Sequence, residues 1–296
     1  MSYTPRRIAS SRFETLRGLR QHALVWEGDP AQPLRVLVHG WMDLADSFQF
    51  LVDAFQSDAP VVALDWRGFG HSQATPLDAY WFADYLGDLD AWLRLLSPEA
   101  PVDLIAHSMG GNVAMIYSGV RPDRVRRLVN LEGYGLPDSN PAAAPERMKL
   151  WLDELQTPAS LKPYESLAAV ATRLRKTNPR LSADKAEWLA SRWAEPQSDG
   201  RFQLRADPLH KHGHAVLYRK AEAMACWARI AAPVLLVEGS DDGLAMFWGK
   251  RYPRADFEER LAVVPNLRQE RLADAGHMLH HDQPEALAAL IQGFLA

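Results

Sequence analysis

Short apolar runs alternate with longer amphipathic segments along the first 132 residues of the chain. The runs at 34–38, 61–66, 102–106 and 127–131 are dominated by Val, Leu and Ile. Continuous apolar runs of that length suit a strand buried on both faces, whereas a strand with one wet face would alternate. The segments between them, 47–55, 79–96 and 110–120, read as amphipathic helices, and strands separated by helices build a parallel sheet. Ahead of this pattern, 13–16 and 22–26 flank Gly18 and predict an opening antiparallel hairpin.

The rhythm stops at Gly133. From 133 to 225 the pattern predicts successive helices at 144–155, 161–176 and 182–194, broken by Pro141, Pro158, Pro163, Pro179, Pro196 and Pro208, with no buried-strand run. Strand signal returns at 233–238. An amphipathic stretch at 243–261, a strand at 268–273 and a helix at 284–294 follow. The expected organisation is a discontinuous α/β core, 1–132 and 226–296, interrupted by a helical lid, 133–225.

Composition narrows the function classes. At 296 residues, with 47% apolar and 24% charged positions, the chain has the make-up of a folded globular protein rather than a disordered one. Lys plus Arg, 33, against Asp plus Glu, 37, leaves −4, so no general positive field exists to hold a nucleic acid. The lid carries 14 basic and 11 acidic residues (+3) and the remainder 19 and 26 (−7), a difference that a solvated helical surface explains. A single cysteine, Cys226, excludes an internal disulfide framework and a Cys-rich zinc site. No secretory leader core and no membrane-length apolar run is found, so a soluble cytoplasmic protein without a membrane partner is expected.

Candidate chemistry begins with Leu104-Ile105-Ala106-His107-Ser108-Met109-Gly110-Gly111, a strand running through a serine into a helix. Such a turn holds the serine in a strained conformation with its hydroxyl exposed, and needs small residues two before and two after it. Ala106 and Gly110 meet that need. Taken alone, Ser108 could instead cap the following helix. The rest of the chain decides between the two readings. Leu37-Val38-His39-Gly40-Trp41 closes an earlier predicted strand, Asp65-Trp66-Arg67-Gly68-Phe69-Gly70-His71-Ser72 follows the next, and Ala273-Asp274-Ala275-Gly276-His277 lies near the C-terminus.

These four motifs, in this order, resemble the α/β-hydrolase superfamily, and the 39–43 entry with the Asn130-Leu131-Glu132-Gly133 exit into the lid looks most like the serine hydrolase-like proteins. The resemblance implies an α/β-hydrolase fold: a mostly parallel sheet flanked by helices, with an inserted helical lid. Its nucleophile would be Ser108. A serine hydroxyl needs a base within hydrogen-bond reach, and the base needs a carboxylate to fix its tautomer. His277 is the expected base; His280 and His281, at the start of the next segment, are expected to be solvent-exposed. For the carboxylate the family pattern Gly-x-x-Asp selects Asp242 over Asp241 as the expected acid; the alternative is Glu132, since some relatives place the acid after the preceding core strand. The backbone N–H groups of Met109 and, by resemblance, Trp41 would receive the oxyanion.

Asp65, Arg67, Gly68 and Gly70 read as a structural turn, since no third glycine and no Gly-Lys-Ser/Thr follows to make a phosphate loop. His210, His212 and His214 could share one face of an extended segment, but no carboxylate is predictably near them, so no metal is expected. Trp151, Trp188 and Trp193 read mainly as lid packing. The implied activity is a cofactor-free carboxylesterase-type hydrolase acting on a small molecule through an acyl-enzyme. A carbon–carbon bond hydrolase or lactonase with the same triad, or a ligand-binding protein with little turnover, stay open, as do monomer and homodimer.

Overall fold

The computed structural model describes residues 3–296. Its strands are β1 (Ser10–Leu16), β2 (Leu19–Trp26), β3 (Arg35–Val38), β4 (Val61–Leu64), β5 (Val102–His107), β6 (Val125–Leu131), β7 (Ala194–Pro196), β8 (Phe202–Leu204), β9 (Val234–Gly239) and β10 (Leu267–Leu272). Eight form one sheet in the order β1-β2-β4-β3-β5-β6-β9-β10. The hairpin β1–β2 joins β4 antiparallel, and every later pairing is parallel. The hairpin turns at Arg17 and Gly18, both at positive φ.

The helices are α1 (Gln49–Ala54), α2 (Phe82–Leu96), α3 (Met109–Val120), α4 (Ala144–Leu155), α5 (Leu167–Thr177), α6 (Ala183–Trp193), α7 (Lys220–Trp227), α8 (Gly243–Trp248), α9 (Arg254–Leu261), α10 (Leu279–Asp282) and α11 (Pro284–Leu295). Residues of β3, β4, β5 and β6 are buried nearly throughout, as their apolar runs require. One layer packs Trp66, Trp92, Val113 and Phe257 against the sheet, and the other packs Phe48, Leu51, Leu279 and Ile291 against its opposite face. The chain leaves β3 toward β4 on one side and reaches β5 on the other. This reversal opens a crevice at the C-terminal ends of β3 and β5, where open α/β sheets bind ligands.

Between β6 and β9 the chain leaves the sheet. There Leu174 of α5, Leu181 of the connection and Leu189 and Trp193 of α6 pack around Leu44 and Phe50 of the core. Helix α4 buries none of its residues and exposes Met148, Leu150 and Leu152. Three local readings of the sequence change. Helix α5 starts at Leu167, not 161, because Pro163 precedes it and the Ser166 side chain caps it by accepting from the Ala169 amide. The three-residue strands β7 and β8 pair inside a region expected to hold no strand. The stretch 243–261 breaks into α8 and α9 at Gly249, at φ 50°, and Pro253.

Helix α7 straddles the expected boundary at 225. It packs on α3 with Ala223 and Trp227 buried, and Gly119 of α3 is the contact point, since a Cβ there would lie 1.8 Å from the Cys226 carbonyl oxygen. Among the described residues no helix is long and apolar enough to cross a membrane.

Candidate active site

Strand β5 delivers His107 and Ser108 to the crevice. Ser108 has φ 50° and ψ −114°, a conformation outside the wells L-residues favour and one that persists only where the surroundings impose it. Its amide donates to the Leu131 carbonyl at 2.8 Å, and its carbonyl accepts from Asn112 at 3.0 Å, so strand and helix both hold the turn. Close packing explains the small neighbours. A Cβ on Gly110 would lie 2.5 Å from the Val38 carbonyl oxygen, and one on Gly40 would lie 3.0 Å from the Ser108 Cβ.

Glu132 follows β6 at φ 53° and is 1% exposed. Its Oε1 accepts from the Gly239 amide at 2.8 Å, and its Oε2 lies 2.8 Å from His277 Nδ1. An ionised carboxylate only accepts, so this contact puts the imidazole proton on Nδ1 and leaves Nε2 as the free base. Two features let the carboxylate reach the histidine: Gly243, whose Cβ would sit 2.4 Å from Oε2, and the close approach of Gly239 to the Ala275 carbonyl.

Asp242, the carboxylate expected from the Gly-x-x-Asp pattern, is not the one placed against His277. Its side chain is 50% exposed, caps α8 by accepting from the Ala245 amide at 2.9 Å, and lies 3.3 Å from Arg254. It is the N-cap of α8, and the capping bond commits its Oδ1 to that helix. Asp241 pairs with Arg180 at 2.8 Å.

Trp41 and Met109 stand where the sequence reading put the oxyanion donors, one just past β3 and one as the first residue of α3. The Met109 amide has no intrahelical acceptor at that position. The Trp41 side chain is 52% exposed, with its indole N–H donating to the His210 carbonyl at 3.1 Å. Phe247 of α8, which the sequence reading did not single out, sets its ring edge-on to His277 at 4.5 Å while staying 49% exposed. Only its place five residues beyond Asp242 on a short apolar helix could have signalled it.

His280 and His281 are buried, not exposed. Both approach the Ser47 hydroxyl, at 3.1 and 2.7 Å, from a segment more than 230 residues away in sequence. His210 is buried as well, stacked between Phe69 at 3.7 Å and Tyr80 at 3.6 Å; burial pushes its pKa down to about 3. His212 and His214 form no ligand cluster with it among the described residues. The turn after β4 is structural in detail: Gly68 and Gly70 have positive φ, and Asp65 accepts from the Ala45 and His71 amides. Arg67 forks onto Asp88 at 2.5 and 2.6 Å rather than onto Asp65. Trp193 is buried in the cluster formed by α5 and α6 with Leu44 and Phe50, and Trp188 packs on Tyr3 and Phe50.

A parallel sheet with its order reversed at β3 and β5, a strained serine after β5, and a histidine held by a carboxylate define the class, and the sequence agrees. The family model described as the α/β hydrolase fold matches residues 34–284, and the chain belongs to that family. Among relatives, the chain is 26% identical over 289 residues to the serine hydrolase-like protein of Danio rerio, covering 92% of this chain and 83% of that one. It is 26% identical over 297 residues to epoxide hydrolase 3 of Xenopus tropicalis, covering 94% and 75%. Among solved structures, the thioesterase domain from the curacin biosynthetic pathway superposes with a TM-score of 0.84 at 24% identity, covering 96% of this chain and 99% of that one, a likeness of fold. Family membership supports hydrolase chemistry for the chain.

Proposed function

We propose that this protein is a serine hydrolase of the carboxylesterase type, with Ser108 as nucleophile, His277 as general base and Glu132 as the carboxylate that orients it. The contact of His277 Nδ1 with the buried Glu132 Oε2, 2.8 Å, carries this reading. It leaves Nε2 to take the Ser108 proton as Oγ attacks an ester carbonyl. The resulting oxyanion would be received by the amides of Trp41 and Met109, donors worth about 3 kcal/mol each where one has been removed in comparable sites. The protonated His277 then gives its proton to the departing alcohol, leaving an acyl-Ser108. Water, deprotonated by the same Nε2, attacks the acyl carbonyl, and the proton returns to Ser108 as the acid leaves.

Serine at the elbow separates this chain from relatives of the fold that use a carboxylate nucleophile, so similarity to an epoxide hydrolase carries no epoxide chemistry here. Exposed Trp41 and Phe247 beside the reacting groups favour an apolar acyl or alcohol portion. Assay of short p-nitrophenyl esters tests the reading. Ser108→Ala should abolish burst and turnover. Glu132→Gln, which can still accept from Gly239, should lower kcat by about 10³–10⁴-fold, the scale of losing a triad carboxylate. Asp242→Asn, which can still cap α8, should stay within a few-fold of wild type. The same rate in wild type and Ser108→Ala would end the serine mechanism, and a large loss confined to Asp242→Asn would reverse the choice of acid.

A further inference from the structure

Behind the nucleophile three buried side chains turn polar atoms toward one another without touching. Asp43, two residues past Trp41, uses Oδ1 to accept from the Leu44 amide at 2.9 Å, and its Oδ2 has no partner among the described residues. His107, immediately before Ser108, has Nε2 2.8 Å from the His277 carbonyl; that nitrogen must carry the proton, so Nδ1 presents a lone pair, and it too has no partner. His280 completes the group from α10. Its Nε2, which also lies 3.1 Å from the Ser47 hydroxyl, and the His107 Nδ1 are each 4.0 Å from Asp43 Oδ2, and the three donor atoms are all within 4.8 Å of one another. Asp43 is 4% exposed, His107 2% and His280 0%.

Two of these atoms, Asp43 Oδ2 and His107 Nδ1, are acceptors without a partner that face each other in a dry interior, which is costly unless something electropositive sits between them. We propose that Asp43, His107 and His280 form a binding site for one divalent transition-metal ion of the zinc class. Two imidazoles and one carboxylate are a donor set such ions take. His107 also has the outer arrangement that ligating histidines show, its far ring N–H donating to a backbone carbonyl, which fixes the tautomer that coordination at Nδ1 requires. Bonds of about 2.1 Å in a tetrahedral sphere place donors about 3.4 Å apart, so side-chain rotation must close each 4.0 Å gap by about 0.6 Å. The ion would tie the loop after β3, the end of β5 and α10 together. This inference departs from the sequence expectation of no metal and does not rest on the proposed hydrolase chemistry.

Tag-free full-length protein, stripped with chelator, would be titrated with Co²⁺ and followed by ligand-field absorption, and with Zn²⁺ by calorimetry. One equivalent should bind with a tetrahedral or five-coordinate cobalt spectrum, and Zn²⁺ should raise Tm. Asp43→Asn and His280→Gln should each weaken affinity by at least tenfold, while Ser108→Ala should leave it unchanged. Anomalous diffraction from zinc-soaked wild-type crystals decides the matter even where the variants fail to fold: a peak among Asp43, His107 and His280 supports the site. No binding at millimolar metal, binding that survives both variants, a peak elsewhere, or an ordered water alone between the three residues overturns it.

Discussion

At the residue scale, the site depends on how little room surrounds Ser108. Gly40 is the tightest neighbour, because a Cβ there would press on the Ser108 Cβ at 3.0 Å and the His107 Nδ1 at 3.1 Å. Gly40→Ala should therefore displace the nucleophile or the amide of Trp41 beside it. The expected result is a fall in kcat of about 10²-fold, the scale of an ångström-level misplacement, with a Tm change of a few degrees at most. Steady-state kinetics and thermal melts on the same sample check the split. The strained Ser108 turn and the His277 loop, the proposed nucleophile and base, had local signatures in the sequence: small residues at 106 and 110 and the Gly276-His277 pair. Which carboxylate meets His277 had none. Glu132 and Asp242 both follow core strands, and what separates them is which one the His277 loop comes to lie against. Asp242 heads a helix and spends its oxygen on the Ala245 amide, a choice made by capping and invisible to a spacing pattern. His280 and His281 were misread for a related reason: a polar pair near a helix start reads as surface until Ser47 is brought beneath it.

At the element scale, the core strands announced themselves because burial on both faces demands unbroken apolar runs, while three-residue β7 and β8 are too short to show a period. Helix α7 is the instructive case. Its sequence, KAEAMACW, has no strong apolar stripe, yet it docks on α3 through a backbone contact that only glycine at 119 permits. Gly119→Ala should force α3 and α7 apart and destabilise the fold by several kcal/mol, on the scale of overpacking a tight interior. Gly293→Ala in α11 serves as the opposite case, since nothing lies within 4 Å of the added carbon. It should stabilise by roughly 0.5–1 kcal/mol through helix propensity. Urea midpoints of both variants against wild type test the pair.

At the scale of the whole molecule, polar groups lie beneath the apolar layers. Burial lowers the pKa of His39 to about 4, of His210 and His281 to about 3, and also lowers His71, His107, His214 and His280. These groups take up protons in the unfolded chain near pH 6.5 but not in the folded one, so their contribution is complete above that pH and is lost as pH falls. Burial raises Asp43 to about 7, Asp46 to about 6, and Asp103 and Asp282 as well, which pulls the opposite way below neutrality. Seven histidines outweigh four carboxyls. Stability should decline from pH 6.5 toward 5, by about 1.4 kcal/mol per pH unit for each unbalanced proton. Melts at pH 6.5, 5.7 and 5.0 should show Tm falling at each step, and a rising Tm would mean the carboxyls dominate.

Glu132 stands directly before the chain departs for the inserted helices, only 24 positions after Ser108, whereas His277 arrives after the chain has returned. During synthesis the proposed nucleophile, oxyanion amides and carboxylate therefore emerge while the proposed base is still unmade. On the proposed mechanism, until the final two strands have joined the sheet the newborn chain holds Ser108 without His277 to deprotonate it, so the reactive pair is completed only as the fold closes.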